Sequence, residues 1–525
     1  MQHKNEIFDY NLSQHLLTRT IQDLKIDKAV GFSGVASELI KYGISDKLLE
    51  IITIIIETMI NHDVRPKNIN IGKIKPVVKD QKKDWNDINN LRPITISDCI
   101  AIILEKIILF EIEKDRPNNE KQFGFKKDSS CQHAIWTLRE IIAYNKRRHK
   151  RTLICTIDAS KAFDKINRNN LWAKMIGQIR PYLLRCLINY YSESRAVVCL
   201  DGNYSGMFST LIGVKQGGPL SPKLFCLYMD ELIETLDNSS FGIKIGNIKI
   251  NNMLYADDIV LISERPNELN ALLKMTTDYG HEYEVKFNPD KTNFMIAGDS
   301  VNFSQDIKIV FDDKEIERVK ELKYLGVMFD DTIKSSRHIE FKIKSALTRY
   351  QEMIGCGIED PNLASEIKLE YYRTFIRPVL YYGLETLQLN VTQIKTIQTL
   401  ESKLLKSAFR ISKYSKSTRL MRACRIEMTK ERIAILKIKF LKRLKMNTLT
   451  NRIIGELLMN DEKCKRDEKS FLGEIIKTLN LNDKIEEITE IDDIIVEGEF
   501  YKEELDCRIE EECQTEEVRD VIEAI

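Results

Sequence analysis

The chain has 525 residues, too many for one ordinary hydrophobic core, so two to four subdomains are expected. It is 43% hydrophobic and 30% charged, which is typical of a globular protein and excludes a fibrous or wholly disordered chain. The best membrane candidate, residues 51–60, is too short to cross a bilayer and contains Glu57, so no membrane partner is expected.

The net charge of +1 hides an uneven distribution. Residues 483–525 contain 18 acidic and 4 basic residues, a net charge of −14, which leaves +15 for residues 1–482. Within that body, residues 395–445 contain 16 basic and 3 acidic residues. A basic body with an acidic tail indicates a polyanionic partner. A solvated surface with a disordered tail explains the same pattern.

Eleven cysteines are scattered along the chain without a CxxC pair, and those near the carboxyl terminus lack neighbouring histidines. No zinc site is therefore expected. Cys155 and Cys226 sit in apolar runs, where a free thiol behaves as a small core side chain. This usage favours a reducing compartment, the nucleus or the cytoplasm, and residues 1–10 lack a signal-peptide core.

The pattern predicts the following elements in chain order: helices over 10–62 broken at 31–34, strands at 74–79 and 91–94, helices over 98–114 and 130–147, a strand ending at Asp158, a helix to about 190, a hairpin over 195–214, a helix to about 236, strands over 241–263, and a β segment at 323–329. Beyond residue 335 the pattern is almost wholly helical. Strands interleaved with helices over 150–330 predict an α+β core.

The segment YADD at 255–258 places Asp257 and Asp258 inside an otherwise apolar stretch. Two adjacent carboxylates there repel each other and are costly to bury, which makes a divalent cation their natural partner. Asp158, 99 residues before Asp257, ends another apolar run. One carboxylate at a strand end and a pair at a strand turn suit two Mg²⁺ ions that promote nucleotidyl transfer.

Two further segments lie between these acids. In DASKAFD at 158–164, the carbonyl of Ala159 can face a metal, and Phe163 can lie beneath a bound sugar and crowd a 2′-hydroxyl. In GVKQGGPLSP at 213–222, Gly217 lets backbone approach a ligand closely, and Gln216 offers donors and acceptors to a nucleotide or template base. Alone, each segment is better explained as a turn, a capping residue or a helix start. Together, in this order, they are far more specific.

With these segments in place, the chain resembles the reverse transcriptases of non-LTR (LINE-like, jockey-type) retrotransposons over roughly residues 20–390. The segments at 158–164, 213–222 and 255–258 look like the first three palm motifs of that family. The remaining matches are LRPI at 91–94 and QFGF at 122–125 in the fingers, NPDKT at 288–292, KYLGV at 323–327, and RPVLYYG at 377–383.

The resemblance implies a right-hand polymerase of fingers, palm and thumb with an antiparallel palm sheet, followed by a mostly helical carboxyl-terminal region. The implied segments are an N-terminal extension with fingers at 1–150, a palm with the active site at 151–330, a thumb-like basic helical region at 331–450 and an acidic tail at 451–525. The implied function is RNA-directed DNA polymerisation with dNTPs on an RNA template and a DNA primer. No endonuclease segment is recognised, so that activity is expected to come from elsewhere.

The resemblance also implies residue roles. Asp158 and Asp257 would ligate two Mg²⁺ ions (Mn²⁺ is possible), with Asp258 as accessory carboxylate and catalytic partner. The nucleotide would be bound by Arg92, with Lys79 as a weaker candidate, and by Ala159, Phe163 as sugar gate, Gln216 and Gly217. Lys291 would protonate pyrophosphate, or it is an exposed turn lysine. Tyr255 would pack beside the primer end, and Lys403, Lys406 and Arg410 would hold the template–primer duplex.

Three other functions remain open. One is a group II intron maturase-like or domesticated reverse transcriptase, which predicts an RNA-splicing contact after residue 335. Another is a truncated, catalytically silent nucleic-acid-binding remnant. The weakest is an RNA-dependent RNA polymerase, which Phe163 disfavours on steric grounds.

Overall fold

The structure is a computed structural model, which describes residues 8–62, 64, 68–159, 163–298, 307–485, 488 and 490–524. Residues 160–162 of the first palm motif and 1–7 of the N-terminal extension lie outside these ranges. The elements before residue 151 are α1 (Gln14–Gln22), α2 (Ser37–Tyr42), α3 (Asp46–Asn61), β1 (Ile71–Val78), β2 (Leu91–Ile96), α4 (Cys99–Asp115) and α5 (Cys131–Arg147).

The next segment is the mixed part of the chain. Its elements are β3 (Thr152–Asp158), α6 (Arg168–Met175), α7 (Pro181–Ser192), β4 (Arg195–Leu200), β5 (Asn203–Tyr204), β6 (Phe208–Ser209), α8 (Ser221–Asn238), β7 (Ile243–Ile245), β8 (Ile248–Ile250), β9 (Asn252–Tyr255), β10 (Asp258–Ser263), α9 (Pro266–Glu282), β11 (Asn293–Ala297), β12 (Val310–Phe311), β13 (Lys314–Glu315), β14 (Glu317–Arg318), β15 (Glu321–Tyr324) and β16 (Val327–Asp330).

The described part beyond residue 330 is helical, as the sequence predicts. Its helices are α10 (Ser336–Gly355), α11 (Ser365–Tyr371), α12 (Arg377–Tyr381), α13 (Val391–Ala408), α14 (Ser417–Ala423), α15 (Thr429–Met446), α16 (Thr448–Asn460), α17 (Glu462–Arg466), α18 (Phe471–Thr478), α19 (Ile491–Cys513) and α20 (Glu516–Ala524). A π-helical turn, Tyr372–Ile376, joins α11 to α12. Within the described ranges, no helix combines the length and apolarity needed to cross a membrane.

The central sheet has the strand order β14-β11-β3-β10-β9 and is antiparallel from β11 to β9. Its strands are apolar at successive positions because both faces are covered. Cys155 and Ile259 belong to a core with the N-terminal and palm helices, whereas Ile154 and Val260 belong to a core with α5 and the carboxyl-terminal helices. Side chains alternate between the faces of a strand. Its antiparallel pairing from β11 to β9 is the arrangement that the sequence predicts for the palm.

A second sheet has the order β2-β1-β4-β5, with β6 also paired to β4. It joins strands 71–78 and 91–96 to the hairpin predicted over 195–214, because β1 pairs with β4 in parallel. The hairpin turn lies at Asp201 and Gly202, which have φ values of 49° and 84°. Asp-Gly suits such a turn because both residues tolerate left-handed backbone.

The prediction of one helix reaching about residue 190 was wrong. Two helices, α6 and α7, occupy this stretch. Gly177 has a left-handed φ of 74° just after α6, and Pro181 is the first residue of α7. A left-handed glycine ends a helix, and proline suits the first turn of the next one.

The acidic residues near the carboxyl terminus lie on folded helices. In α19, Ile494 and Leu505 are buried, and Gly498 packs against Ile438 of α15. Acids of α19 and α20 pair with basic residues of α14 and α15: Arg422 with Glu512, Arg419 with Glu517, Lys442 with Glu499, and Lys445 with Asp492. The described acidic helices are therefore docked on the basic body, and a disordered tail does not explain the charge pattern there.

Candidate active site

The two predicted acidic segments meet at one end of the palm sheet. β3 and β10 are antiparallel neighbours, and Asp158 is the direct register partner of Asp258. Opposed residues of an antiparallel pair project from the same face, so these two carboxylates lie side by side. Asp257 precedes Asp258 in the turn from β9, where Ala256 has a left-handed φ of 56°. The turn adds a third carboxylate at the same end of the sheet.

The pKa values of Asp257 and Asp258 are both raised at this end of the sheet. Burial raises the pKa of Asp257, and the charge of Asp158 raises it further, whereas Arg92 lowers it. Burial also raises the pKa of Asp258 to about 6, with added contributions from Asp257 and Asp158. Like charges that are partly withdrawn from water disfavour ionisation. The cluster is therefore costly to ionise without a cation.

A divalent cation can bind these carboxylates without being enclosed by protein ligands. Among the described residues, no three carboxylate, thiol or imidazole groups converge closely enough to form a metal site by themselves. Mg²⁺ in phosphoryl-transfer sites usually binds one or two carboxylates and completes its shell with phosphates and water. In the structure, the cation on Asp158 is the Lys291 ammonium, whose Nζ lies 3.0 Å from Oδ2.

A cleft of about 780 Å³ opens beside these acids. It is lined by nine of the predicted site residues: Lys79, Arg92, Asp158, Ala159, Phe163, Gln216, Gly217, Asp257 and Lys291. The sequence separates these residues by up to 212 positions, from Lys79 to Lys291. Folding therefore brings most of the predicted catalytic and nucleotide-binding residues to one concave surface.

The loop that carries Gln216 and Gly217 is fixed against the second sheet. The backbone carbonyl of Gln216 accepts a hydrogen bond of 2.7 Å from the Thr95 amide, and its side-chain Nε2 donates to Oδ1 of Asp164 at 2.8 Å. Gly217 has a φ of 114°, and a Cβ there would lie 2.8 Å from the Thr95 carbonyl oxygen. Gln216 thus holds the loop in place. The sequence did not predict its contacts with Thr95 and Asp164.

Phe163 is half-buried and forms a fixed part of the cleft wall. Its ring stacks on Phe225 with centroids 5.1 Å apart and meets Phe125 edge-on at 5.9 Å. Aromatic neighbours on two sides restrict rotation of the ring. A rigid ring at this place is suited to steric selection.

Arg92 and Lys79 reach the cleft from the β1–β2 hairpin. Arg92 is exposed and opposes Val77 in the strand register. Lys79 is also exposed, and its Nζ donates to the Asn89 carbonyl at 3.1 Å. Both cations are therefore available to an anionic ligand, with Lys79 tethered near the hairpin end.

The remaining predicted residues lie outside this cleft. Asp258 and Tyr255 are half-buried register partners of β10 and β9. Lys403 and Lys406 line a separate groove of about 500 Å³, where Lys406 donates to the Lys413 carbonyl at 3.1 Å. Arg410 is exposed just beyond α13. The structure thus separates the proposed duplex contacts from the acidic cluster.

Fewer basic side chains of the stretch 395–445 are available to bind a polyanion than its composition indicates. Arg419, Arg422, Lys442 and Lys445 pair with acids of α19 and α20. Lys437 is buried and pairs with Glu474 of α18. Exposed basic side chains on and just beyond α13 remain open to a polyanion, as do others such as Lys430 and Lys439 of α15.

The sequence analysis missed a buried polar set beneath the Gln216 loop. Lys215 Nζ lies 2.9 Å from the Tyr190 hydroxyl and 3.4 Å from Oε1 of Glu105, and that hydroxyl donates to the same carboxylate at 2.7 Å. Burial lowers the pKa of Lys215, while Glu105 raises it. Glu105 directly follows the apolar run 99–104 of a predicted helix, which is the sequence signal for a buried pairing.

Comparison with known proteins agrees with this site. The family model described as reverse transcriptase (RNA-dependent DNA polymerase) matches residues 80–329. The RNA-directed DNA polymerase from mobile element jockey of Drosophila funebris is 23% identical over 397 residues, which cover 74% of this chain and 42% of that protein. The Pol polyprotein from retrotransposable element R2DM of Drosophila melanogaster is 29% identical over 251 residues, 46% of this chain and 24% of that protein.

The chain spans less than half the length of these two curated relatives. Among solved structures, apo telomerase from Candida tropicalis is 13% identical and superposes with a TM-score of 0.38, covering 76% of this chain and 69% of that one. The match to the family model includes the Asp158, Gln216 and Asp257 segments. The chain therefore carries a reverse transcriptase domain over residues 80–329 and is similar to proteins of the jockey and R2 mobile elements.

Proposed function

We propose that the protein is an RNA-directed DNA polymerase that extends a DNA primer on an RNA template during retrotransposition of a non-LTR element. The observation that carries the proposal is the cross-strand pair of Asp158 and Asp258, with Asp257 in the adjoining turn. Asp158 and Asp257 line a cleft that also holds cationic Arg92 and Lys291. Carboxylates for metal ions beside cations for phosphates are what nucleotidyl transfer requires.

Asp158 and Asp257 would hold two Mg²⁺ ions, for which Mn²⁺ could substitute, and Asp258 would be the third carboxylate. When bound, these ions lower the pKa of the primer 3′-hydroxyl and offset the charge of the triphosphate and the departing pyrophosphate. The Ala159 backbone would add a carbonyl ligand. Raised pKa values of Asp257 and Asp258 support this assignment, since a bound cation removes the cost of ionising them.

The other cleft residues would bind and orient the nucleotide. Arg92 would clamp the triphosphate through paired hydrogen bonds, with Lys79 as an additional cation. Phe163 would exclude a 2′-hydroxyl. Gly217 would allow close approach of the loop backbone, and Gln216 would hold that loop in place. Lys291 would give a proton to pyrophosphate, for which it must leave Asp158.

The nucleic-acid partners would be bound elsewhere on the chain. The exposed side chains of Lys403 and Arg410, together with Lys406, would contact the template–primer backbone, and Tyr255 would pack beside the primer end. The division into fingers, palm, thumb-like region and acidic region stays a prediction. We also propose action in the nucleus or cytoplasm, since all eleven cysteines are free thiols.

The test is primer extension with the purified chain. A poly(rA) template with an oligo(dT) primer, Mg²⁺ and dTTP should give extension products. Asp257→Asn should lower the rate on the order of 10³-fold or more, because it removes charge where the transition state needs it. Asp201→Asn is the matched control, since asparagine also tolerates the left-handed turn conformation of Asp201, and should extend normally.

Absence of extension by the wild-type chain across metal and salt conditions would overturn the proposal. Retained duplex binding would then favour the catalytically silent remnant. Extension that is equally fast in Asp257→Asn and in the wild type would reject the assigned site while leaving the activity in place.

A further inference from the structure

The QFGF segment at 122–125 lies against the turn that carries Asp257. Phe123 donates its amide to the Leu254 carbonyl at 2.8 Å, and the Leu254 amide donates to the Lys121 carbonyl at 2.9 Å. This ladder adds Gln122 to the outer edge of β9 in parallel. The segment is therefore joined to the palm sheet at the strand that leads into the Ala256 turn.

The side chain of Gln122 acts on the turn itself. It is fully buried, and its Oε1 accepts hydrogen bonds from the Ala256 amide at 3.0 Å and from the Gly124 amide at 2.9 Å. Ala256 has a φ of 56°, a left-handed conformation that is unfavourable for a residue with a Cβ. One oxygen thus holds the strained residue that immediately precedes Asp257.

The nitrogen of the same amide is buried as well. Among the described residues, Nε2 of Gln122 is a buried donor without an acceptor. Such groups are costly and call for an explanation, which is often functional. The cost is understandable if the residue is kept for its acceptor, because an apolar side chain of similar size would bury better but could not hold the Ala256 amide.

Gly124 completes the contact by allowing close approach. A Cβ at this position would lie 2.4 Å from the Ala256 nitrogen. The backbone of residue 124 is therefore in close contact with the turn. Any larger residue would push the turn, and Asp257 with it, out of place.

We propose that Gln122 is a positioning residue for Asp257, which fixes the Ala256 turn so that the Asp257 carboxylate faces the cleft. This inference rests on the proposed polymerase function. Its consequence is specific: without the Gln122 acceptor, the site binds divalent metal more weakly, although the fold persists. Partners that orient metal ligands typically change metal affinity or activity by about 10- to 100-fold when removed.

The test compares Gln122→Met, which keeps the length but removes the acceptor, with Gln122→Glu, which keeps it. Mn²⁺ binding is followed by EPR on the complex with dTTP and a template–primer that ends in a 3′-deoxynucleotide. Gln122→Met should weaken Mn²⁺ binding and raise the Mg²⁺ concentration for half-maximal extension by about 10-fold or more. Gln122→Glu should recover most of both properties.

Asn145→Leu is the matched structural control. The Asn145 amide donates to the Arg151 carbonyl at 3.1 Å and to Thr152 at 3.2 Å, at the end of β3 opposite Asp158. Its loss should lower the melting temperature and leave metal affinity unchanged. If Gln122→Met does not fold, Gly124→Ala tests the same turn from the backbone side and should weaken metal binding likewise.

Wild-type metal affinity in a folded Gln122→Met or Gly124→Ala variant would overturn the inference. Equal loss in the Met and Glu variants would also overturn it, because the acceptor would then be irrelevant. If the wild-type complex itself neither binds Mn²⁺ nor extends a primer, the proposed function has failed, which is a different result.

Discussion

Asp158 and Asp258 are direct partners across β3 and β10, although 100 residues separate them in the sequence. They are adjacent on one sheet face, and Asp257 lies in the turn that leads into β10. The pKa of Asp258 is raised to about 6 by burial and by these two neighbours. This relationship makes the stability of the metal-free protein depend on pH.

The first prediction concerns that dependence. A carboxylate whose pKa is higher in the folded state than in the unfolded state binds protons more tightly when folded. Its stabilising contribution is complete below the unfolded value near 4 and is lost as the pH rises through about 6. Asp258→Asn should therefore stabilise the metal-free chain relative to wild type more at pH 7.5 than at pH 4.

Urea unfolding at both pH values measures this difference, and adding Mg²⁺ at pH 7.5 should reduce it. The same stability difference at pH 4 and pH 7.5 would mean that Asp258 is not held at a raised pKa.

The second prediction concerns sugar selection. The ring of Phe163 stacks on Phe225 with centroids 5.1 Å apart. Phe163→Val replaces this ring by a smaller side chain and so opens space at the cleft wall. Incorporation of ribonucleotides should rise relative to deoxynucleotides by at least about 10-fold, since a steric clash worth 1.4 kcal/mol corresponds to that ratio. Competition between dTTP and UTP measures it.

Phe208→Val is the control, because Phe208 is exposed on β6 and does not line the cleft. An unchanged nucleotide preference in the Phe163 variant would remove the gate role and leave the ring as a packing element.

The third prediction concerns the groove near α13. Changing Lys403, Lys406 and Arg410 to Ala together should weaken template–primer binding and flatten its salt dependence. Each lost phosphate contact lowers the slope of log K against log salt by about 0.9 for a B-form duplex. Fluorescence anisotropy across a salt series provides the slope.

A control with the same change in charge replaces the exposed Lys477, Lys484 and Lys502 by Ala. It should leave the slope unaltered. Equal slopes for both triple variants would mean that only net charge matters and that the groove is not the contact.

The fourth prediction concerns the docking of the acidic helix. Gly498→Ala places a Cβ 2.6 Å from Cγ2 of Ile438, so it should lower the melting temperature by separating α19 from α15. Gly455→Ala in α16 is matched to it, since a Cβ there meets nothing within 4 Å. That variant should gain stability by about 0.5–1 kcal/mol. Differential scanning calorimetry measures the melting temperatures of both variants. A higher melting temperature for Gly498→Ala than for wild type would show that Gly498 is not tightly packed against Ile438.

Local patterns were sufficient to predict several elements. Helices α4 and α5 begin and end within one residue of the predicted bounds, because each is a long apolar repeat with clear ends. The hairpin at Asp201-Gly202 was predicted from turn chemistry alone. The break at Gly177 was missed, because an isolated glycine does not by itself reveal whether its backbone is left-handed.

Contacts between distant segments could not be read in this way. Gln216 was predicted to offer its side chain to a nucleotide or template base. It lines the cleft, and its Nε2 also donates to Asp164, a contact that the pattern did not reveal. Gln122 was recognised only as part of a fingers segment, although its oxygen holds the Ala256 amide. Such pairings depend on which segments become neighbours, and residue type does not specify that.

The sequence by itself determined the candidate chemical groups: acids inside apolar strands, a glycine loop and an aromatic residue near the first acid, in an order typical of reverse transcriptases. Only the tertiary structure decided the strand register that sets Asp158 against Asp258, the clamp on the Asp257 turn, and the docking of acidic helices on the basic ones. The physical reason is that residue types and periodicity are local properties of a chain, whereas register and long-range ion pairs follow from how the two cores pack on opposite faces of one sheet.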